Sequence, residues 1–417
     1  MQEKTIKIHT PLLAALENSL YAIFEQGIYA DKEVAHALKA NRNWGSRDRS
    51  FFAETIYDIV RWKRKYAFQL EQSAIQDPEN NVQALIGISL LNRNYVIQNP
   101  DRTGLTSADI DLLKKQLKLP IEQPAIATSY PEELYSYCEQ ALGNTWHAIA
   151  EQLNAQAKVY LRINTLKTTK KKISEILEKE NIEYRDDCQT VFSSYLLEDS
   201  LEIMTKNTLK NSTHYTNGYF EFQDIGSQLI SVFALQNIPD FSNFTLLDMC
   251  AGAGGKTLHL SALMKNKGKI IATDFNEKRL VQLQKRIQHA GCKNVEVTDF
   301  SSIKNRTNRF DFILIDAPCS GLGTLKRSPD IKWKLSISDI ENYCQIQQTL
   351  LQDASKLLNK NGRMLYATCS ILPQENENQI QRFLENKTAF KLAAEIKTNP
   401  AHYPSDGFYM AKLQIKK

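Results

Sequence analysis

The sequence predicts three successive parts: an all-helical domain, a small α+β connector, and an α/β domain with a doubly wound, mostly parallel sheet. Three observations carry this prediction. Apolar residues recur at helical spacing through the first third of the chain, short mixed segments follow, and helices then alternate with buried strands. The predicted domains are 1–145, 146–225 and 226–417.

The composition is that of an ordinary globular protein. The chain has 417 residues, of which 42% are apolar and 24% are charged, so it is long enough for several domains. No stretch approaches the roughly 20 apolar residues of a membrane span, and the N-terminus lacks the apolar segment of a secretory signal. We therefore expect a soluble, cytoplasmic protein that does not engage membranes.

The cysteines argue against both a disulfide framework and structural zinc. They are seven in number, widely spaced, and form no CxxC or CxxH pair: Cys138, Cys188, Cys250, Cys292, Cys319, Cys344 and Cys369. No metal site is predicted. A cysteine at a special position therefore becomes a candidate for chemistry.

Basic residues in the helical domain are clustered. Between Lys39 and Lys65 there are eight basic residues against three acidic ones, with aromatic residues interleaved. Further runs are Lys167–Lys172 and the lysines and arginine around Trp333. Solvated helix faces commonly have this composition, so such a run indicates a nucleic-acid surface only where it coincides with a site. The arginines of the first cluster are Arg42, Arg47, Arg49, Arg61 and Arg64.

Strands and helices alternate in the third domain. The predicted strands are 245–248, 269–273, 294–298, 312–315 and 364–367. The predicted helices are 227–235, 257–264, 277–290 and 338–358. Right-handed crossovers in such a sheet bring its functional groups to the carboxyl ends of the strands.

A glycine-rich turn follows the first of these strands, with the sequence Cys-Ala-Gly-Ala-Gly-Gly-Lys-Thr from Cys250 to Thr257. A P-loop would need a glycine where Cys250 stands, and the dinucleotide-binding fingerprint has a different glycine spacing. What remains is a tight backbone approach to a ligand. Asp274, at the end of the next strand, is in the position that accepts hydrogen bonds from ribose hydroxyls in Rossmann-like sites.

Two cysteines follow two other strands. Cys319 lies in Asp316-Ala317-Pro318-Cys319-Ser320-Gly321, and Cys369 lies in Thr368-Cys369-Ser370. A single buried cysteine is commonly an inert apolar residue. Two cysteines at matched strand ends, on the rim that carries the glycine turn, indicate nucleophilic chemistry.

These motifs resemble the S-adenosylmethionine-dependent RNA cytosine-5 methyltransferases of the RsmB/NSUN superfamily, and most of all its bacterial ribosomal RNA members. The matching segments are 248–257 (family pattern D-x-C-A-A-P-G-G-K-T), Asp274, 316–321, 327–333, 366–370 with Pro373, Glu375 and Asn376, and 407–411. Upstream, 161–165 and 223–228 resemble the family's connector and entry helix, and 48–61 resembles its NusB-like RNA-binding domain. Gly252-Ala253 replaces the family's Ala-Pro, which loosens a turn that proline would stiffen.

The resemblance implies a Rossmann-like methyltransferase domain that methylates carbon 5 of cytosine in RNA, with small-subunit ribosomal RNA as the expected partner and no obligate protein partner. It implies that Cys369 attacks carbon 6 of the base, and that Cys319 assists proton removal from carbon 5 and release of the product. Asp316 is expected to bind the base near ring nitrogen 3, with Lys256 steadying charge beside it. The clustered arginines are expected to contact RNA phosphates.

The resemblance also implies an S-adenosylmethionine site. The expected cofactor-binding residues are Cys250, Ala251, Gly252, Ala253, Gly254, Gly255, Lys256, Asp274, Asp299 and Asp316. Among them, Asp299 follows the strand 294–298, at the place where methyltransferases contact adenine.

Other functions stay open at this point. A DNA cytosine-5 methyltransferase shares the chemistry, but its nucleophile is the cysteine of the Pro-Cys motif and it has no Thr-Cys-Ser partner. A transfer RNA enzyme is a second alternative. A third is a methyltransferase-like assembly factor that binds ribosomal RNA without catalysis; the intact Cys319, Cys369, Asp316 and Asp274 argue against it. Transfer of a labelled methyl group would separate a factor from an enzyme.

Overall fold

The structure is a computed structural model that describes residues 4–77, 80–186, 192, 195, 197–204, 209–304 and 309–416, and all structural statements concern these residues. Cys188 lies outside them. Contacts divide the chain into two compact units. The helical unit comprises the chain up to Ala155 together with Leu325–Ile337, and the α/β unit comprises Gln156–Thr324 and Ser338–Lys417.

The helices and strands are numbered in chain order. The helices are α1 (Thr10–Phe24), α2 (Ala30–Ala40), α3 (Ser46–Glu71), α4 (Val82–Asn92), α5 (Ser107–Gln116), α6 (Pro124–Ala127), α7 (Glu132–Leu142), α8 (Trp146–Leu153), α9 (Lys170–Lys179), α10 (Thr213–Thr216), α11 (Ile225–Leu235), α12 (Gly255–Leu263), α13 (Glu277–Ala290), α14 (Ser301–Lys304), α15 (Ile331–Lys334), α16 (Ile337–Leu357) and α17 (Glu377–Asn386). The strands are β1 (Lys4–Ile6), β2 (Tyr95–Ile97), β3 (Val159–Ile163), β4 (Tyr184–Arg185), β5 (Ser200–Ile203), β6 (Phe220–Phe222), β7 (Thr245–Asp248), β8 (Lys269–Ala272), β9 (Val295–Val297), β10 (Phe310–Asp316), β11 (Leu358–Thr368), β12 (Phe390–Thr398) and β13 (Phe408–Ile415).

The helical unit packs α1, α3 and α4 around one apolar core. It extends to Ala155 rather than to the predicted residue 145. The ring of Trp146 in α8 links the chain beyond residue 145 to this unit, because its centroid lies 5.2 Å from that of Tyr130 and 5.6 Å from that of Tyr135. The unit is helical as predicted, apart from a short parallel pair formed by β1 and β2. Strands of three residues are too short to show a period in sequence.

Helix α3 is kinked at Trp62, whose φ of −113° and ψ of 15° are not helical. Just after the kink, the backbone amides of Arg64 and Lys65 donate to Ser129 Oγ, over 3.1 Å and 3.3 Å. A side chain inserted into the hydrogen-bond ladder is a common cause of a helix kink.

Two backbone carbonyls at the kink of α3 accept hydrogen bonds from Leu325–Ile337, a segment that we call the strap. Trp333 Nε1 donates to the Val60 carbonyl over 2.6 Å, and Lys332 Nζ donates to the Arg61 carbonyl over 2.7 Å. Buried backbone carbonyls need such partners. The strap, which the sequence assigned to the third domain, therefore completes the helical unit.

The structure corrects part of the predicted basic surface. Arg61 donates to the Lys326 carbonyl over 2.9 Å, and Arg64 donates to the Tyr130 carbonyl over 2.5 Å, so both guanidinium groups hold the fold together. In the strap, Lys332 is only 1% exposed. Sequence composition predicts none of this, because a buried lysine or arginine that satisfies carbonyls looks the same as a solvated one. Of the five clustered arginines, Arg42 and Arg47 are exposed.

The α/β unit contains two sheets. The connector forms a four-stranded antiparallel sheet in the order β4-β5-β3-β6. The larger sheet has the order β12-β13-β11-β10-β7-β8-β9. Strands β11, β10, β7, β8 and β9 are parallel neighbours, whereas β13 is antiparallel to both β11 and β12. The predicted doubly wound, mostly parallel fold is confirmed. Among the described helices, none is both long and apolar enough to cross a membrane.

Candidate active site

The strand ends predicted to carry chemistry meet on one rim. Strands β7, β8, β10 and β11 are parallel neighbours, so their carboxyl ends open together onto a cleft of about 950 Å³ within the α/β unit. The lining contains these predicted residues: Cys250, Ala251, Gly252, Ala253, Gly255, Lys256, Asp274, Asp316, Cys319 and Cys369. Gly254 lies in the same turn but is not part of the lining.

The glycine turn joins β7 to α12 through two residues in the left-handed region. Gly252 has φ of +56° and Gly254 has φ of +91°, conformations that glycine adopts without steric cost. A Cβ on Gly254 would also collide with the Leu283 side chain of α13. Glycine at these two positions therefore allows the turn to remain tight and close to α13.

Asp274 is held in a fixed orientation at the end of β8. Its Oδ2 accepts the Gly252 amide over 2.8 Å, and its Oδ1 accepts the Asn276 amide over 2.8 Å. The side chain borders the cleft and is mostly buried. A carboxylate fixed by two backbone amides is preorganised to accept further hydrogen bonds from a ligand.

Asp299 follows β9 at the surface of the α/β unit. It is exposed and does not line the described part of the cleft. Its carboxylate accepts hydrogen bonds from Ser301 and Ser302, which hold the pKa of Asp299 well below its usual range. The carboxylate thus supports the start of the short helix α14.

Several lining residues were not predicted from the sequence. Phe275 follows Asp274, is 61% exposed, and lies 4.6 Å from Phe300 between ring centroids. An exposed aromatic residue directly after a strand-end acid is the signal that could have identified it. The other additional lining residues are Gln223, Ser227, Asn276, Arg279, Ala317, Pro318, Thr324, Tyr343, Ile346 and Phe408.

Two arginines donate hydrogen bonds to backbone carbonyls of the glycine turn. Arg286 of α13 donates to the Ala253 carbonyl over 2.6 Å, and Arg162 of β3 donates to the Gly255 carbonyl and to Gln223. Burial lowers the pKa of Arg162 to about 10, so it remains cationic at neutral pH. The connector sheet therefore helps to fix the turn.

Lys256 and Asp316 form an ion pair inside the cleft, with 2.6 Å between Nζ and Oδ2. Burial acts to lower the pKa of Lys256, but the charge of Asp316 and the hydrogen bond between them outweigh it, so the pKa is raised. The charge of Cys369 acts in the same direction. The ammonium group is therefore available to stabilise negative charge at this end of the cleft.

The two predicted thiols are in contact, with 3.3 Å between Cys319 Sγ and Cys369 Sγ. The hydrogen bond to Cys369 is the largest cause that raises the pKa of the Cys319 thiol well above its usual value, followed by burial and by the charges of Cys369 and Glu375. The Cys319 thiol therefore stays protonated at neutral pH. Burial likewise raises the pKa of Cys250, which makes that thiol a poor nucleophile.

Asp248, which begins the glycine-turn motif, is fully buried behind the cleft. Its Oδ2 accepts a hydrogen bond from Thr257 Oγ1 over 2.7 Å, whereas Oδ1 has no partner among the described residues. Burial raises the pKa of Asp248 to about 7, with the charge of Asp316 acting in the same direction. The folded protein therefore takes up a proton here that the unfolded chain would release.

This proton uptake predicts a pH dependence of stability. The pKa of Asp248 is about 7 in the folded protein and about 4 in the unfolded chain, so protonation favours the folded state. This stabilisation is complete below about pH 4. That contribution is lost as the pH rises towards 7. Asp248→Asn has no such proton, so its urea midpoint should fall less than the wild-type midpoint between pH 5 and pH 7. Parallel pH profiles for the two proteins would contradict the raised pKa.

Comparison with known proteins identifies the family. The chain matches the model for 16S rRNA methyltransferase RsmB/F over residues 238–414, and the ferredoxin-like domain of RsmF/B-like methyltransferases over residues 130–196. It is 31% identical over 305 residues to the ribosomal RNA small subunit methyltransferase B of Shewanella oneidensis, covering 70% of this chain and 68% of that protein. The chain belongs to the RsmB/F methyltransferase family. The family resemblance and the Rossmann-like methyltransferase domain expected from the motifs are thereby confirmed.

Two further likenesses extend over nearly the whole chain. The probable ribosomal RNA small subunit methyltransferase B of Synechocystis sp. is 27% identical over 436 residues, covering 93% of this RsmB/F family member and 95% of that protein. The crystal structure of PH0851 has a TM-score of 0.78 at 23% identity, covering 98% of this chain and 100% of that chain. The structural likeness shows a shared fold.

Proposed function

We propose that this RsmB/F family member transfers a methyl group from S-adenosylmethionine to carbon 5 of a cytosine in small-subunit ribosomal RNA. The observation that carries the proposal is the pair of thiols at the ends of β10 and β11, 3.3 Å apart and in the same cleft as the ion pair of Lys256 with Asp316. The substrate class is taken from the family description and from the names of the relatives, which specify ribosomal RNA of the small subunit.

The pair of thiols suits this chemistry because carbon 5 of cytosine is too weak a nucleophile to accept a methyl group unaided. We propose that the Cys369 thiolate forms a bond to carbon 6, which makes carbon 5 enamine-like. Asp316 accepts a hydrogen bond from ring nitrogen 3 in the protonated intermediate and stabilises it, while Lys256 steadies the charge of Asp316. After methylation the proton on carbon 5 leaves, the bond between sulfur and carbon 6 breaks, and Cys369 is released as thiolate.

The position of the proton explains how two similar thiols take different roles. Before attack Cys319 keeps its proton, because the hydrogen bond and charge of Cys369 raise its pKa. Once Cys369 is bonded to carbon, both of these causes disappear and the pKa of Cys319 falls. Cys319 then gives its proton to solvent and accepts the proton of carbon 5, so the reaction releases one proton overall.

The cleft fits the proposed cofactor. S-adenosylmethionine, when bound, supplies an electrophilic sulfonium methyl group. The glycine turn offers a close backbone approach, Asp274 presents an oriented carboxylate suited to ribose hydroxyls, and the exposed ring of Phe275 offers a surface for the adenine base.

Asp274→Ala should weaken S-adenosylmethionine binding by about 1–3 kcal/mol, the range expected when a charge-assisted hydrogen bond is removed. Titration calorimetry of the folded variant measures the change. Asp299→Ala is the matched comparison, because Asp299 also follows a strand end but lies outside the described cleft lining. An unchanged dissociation constant for Asp274→Ala would mean that ribose does not bind there, and an equal loss in Asp299→Ala would restore the sequence-based assignment.

We also propose that the helical unit supplies RNA affinity through its exposed basic residues. The double variant Arg42→Glu/Arg47→Glu should bind RNA more weakly and with a flatter salt dependence, by roughly 0.7 in slope for each single-strand phosphate that is no longer neutralised. Lys114→Glu/Lys115→Glu, which changes two exposed lysines of the same unit, is the control. Equal RNA affinity in the two double variants would remove the arginine cluster from the binding surface.

Methyl transfer is the test of the proposed function. Purified protein should transfer labelled methyl groups to ribosomal RNA but not to DNA of the same sequence. Mapping of 5-methylcytosine in ribosomal RNA from cells with and without the protein should show the loss of specific positions. Binding of RNA and cofactor without transfer would instead support the non-catalytic assembly factor, and labelling of DNA or transfer RNA alone would reject ribosomal RNA as the substrate.

A further inference from the structure

A buried carboxylate joins the two loops that carry the thiols. Glu375 is 0% exposed and lies in the turn after β11. Its Oε1 accepts the Ser320 amide over 2.8 Å, and its Oε2 accepts the Ser320 hydroxyl over 2.5 Å. The Ser370 hydroxyl donates to the same Oε2. Ser320 and Ser370 are the residues that directly follow Cys319 and Cys369, so one side chain restrains both nucleophile loops.

Further hydrogen bonds fix Glu375 and the two loops that it joins. Gln347 of α16 donates to Glu375 Oε1 over 3.2 Å and to the Pro318 carbonyl over 3.0 Å. The Tyr366 hydroxyl donates to the Glu375 carbonyl over 2.6 Å, and Asn376 Nδ2 donates to the Ser370 carbonyl over 3.0 Å. The carboxylate therefore cannot turn away without breaking contacts to both loops.

The donors to this carboxylate within the described residues are all neutral: two hydroxyls, a backbone amide and a side-chain amide. Burial of a charge without a cation is costly, and a protein that needed only to tie two loops could use a neutral acceptor. The negative charge itself therefore calls for an explanation beyond packing.

The charged and titratable groups around the thiols give that explanation. Glu375 and Cys369 both act on Cys319 as negative charges that raise its pKa, and the Tyr366 hydroxyl is buried beside Cys319 and Glu375. The charge of Cys369 also acts on Lys256, which is paired with Asp316. A buried carboxylate and an ammonium group therefore both act on the pair of thiols.

We propose that Glu375 is a positioning residue for the proposed reaction: it fixes the serine that follows each cysteine and thereby the places of both thiols. Its negative charge also acts to keep the proton on Cys319. The assignment of steps rests on the proposed function, whereas the contacts and the charge do not depend on it.

Methyl transfer tests the positioning role. Glu375→Ala should lower kcat about a hundredfold, the cost expected when reacting groups are misplaced by about 1 Å. The KM for RNA and the dissociation constant of S-adenosylmethionine should stay unchanged, because Glu375 does not line the cleft. Glu375→Gln keeps an acceptor of the same shape and should recover much of the lost kcat. Glu377→Gln, which changes a partly exposed carboxylate paired with Lys397, is the matched control.

A second measurement needs neither RNA nor cofactor. Both thiols border the cleft, so alkylation of each cysteine in the free protein can be followed by mass spectrometry as a function of pH. In Glu375→Gln the Cys319 profile should move to lower pH, because a negative charge that opposes its ionisation is gone. The Glu377→Gln profile should match the wild type.

The two measurements separate the inference from the proposed function. A Cys319 alkylation profile in Glu375→Gln that coincides with the wild-type profile overturns the inference, even if Glu375→Ala fails to fold. An unchanged kcat in a folded Glu375→Ala overturns it as well. Absence of methyl transfer by the wild-type protein would reject the proposed function, and the alkylation experiment would still decide the role of Glu375.

Discussion

Cys369→Ala should abolish methyl transfer and every covalent adduct with RNA, whereas Cys319→Ala should accumulate protein bound covalently to RNA. The difference follows from the proposed steps. Cys369 makes the bond to carbon 6, and Cys319 takes the proton whose departure allows that bond to break. The two sulfur atoms are only 3.3 Å apart, so position alone does not separate their roles. The raised pKa of Cys319, which disfavours its thiolate, does.

Denaturing electrophoresis of labelled RNA after incubation with S-adenosylmethionine reveals the adduct directly. The matched control is Cys344→Ala, a third cysteine that lies outside the cleft lining. It should behave as the wild type. A trapped complex in Cys369→Ala but not in Cys319→Ala would reverse the assignment and make the chemistry resemble that of the DNA enzymes. Retention of methyl transfer in both variants would exclude the covalent route.

Lys332→Met should destabilise the helical unit by about 2–4 kcal/mol, because two buried acceptors would lose their donor at nearly unchanged side-chain volume. Lys332 Nζ donates to the Arg61 carbonyl over 2.7 Å and to Asn154 Oδ1 over 3.3 Å. Lys332 Nζ also lies 4.5 Å from the ring centre of Tyr130. Methionine fills the space and offers none of these polar contacts.

Hydrogen exchange measured by mass spectrometry reports this loss separately for each unit. Amides of α3 should exchange faster in Lys332→Met, while those of the α/β sheet should keep their wild-type rates. Lys39→Ala, at an exposed position of the same unit, should leave both unchanged. Equal protection of α3 in Lys332→Met and in wild type would show that the strap does not support the kinked helix.

The sequence predicted the rim of the α/β sheet well for a physical reason. Each motif followed a short buried strand, and parallel strands with right-handed crossovers bring such ends together, so sequence order alone placed the glycine turn, Asp274 and both thiols in one cleft. Helix α13 has the predicted bounds, Glu277–Ala290. Its Asn276 N-cap and the glycine after its end mark both boundaries in the sequence.

Contacts between residues far apart in the chain were not predictable in this way. The strap is assigned by sequence order to the methyltransferase domain, and nothing in its local pattern shows that it packs with α3. The exposure of a lysine or arginine likewise depends on such partners, which is why the sequence does not show the structural roles of Arg61, Arg64 and Lys332. The edge strand β12 was missed for a related reason, because it is exposed along much of its length and carries no continuous apolar run.

The strap also determines when the helical unit can finish folding during synthesis. The helical unit begins at the N-terminus, but the donors to its kinked helix lie at Lys332 and Trp333, roughly 180 residues after the helical part of the unit ends. At about 5–20 residues per second, the ribosome needs about 10–40 s to make the intervening chain. During that interval the carbonyls of Val60 and Arg61 lack their donors from the strap, and the core of the helical unit lacks Trp333. A fragment ending at Ala155 is therefore an unfinished folding unit, and recombination between relatives at that boundary would exchange the helices without the segment that completes them.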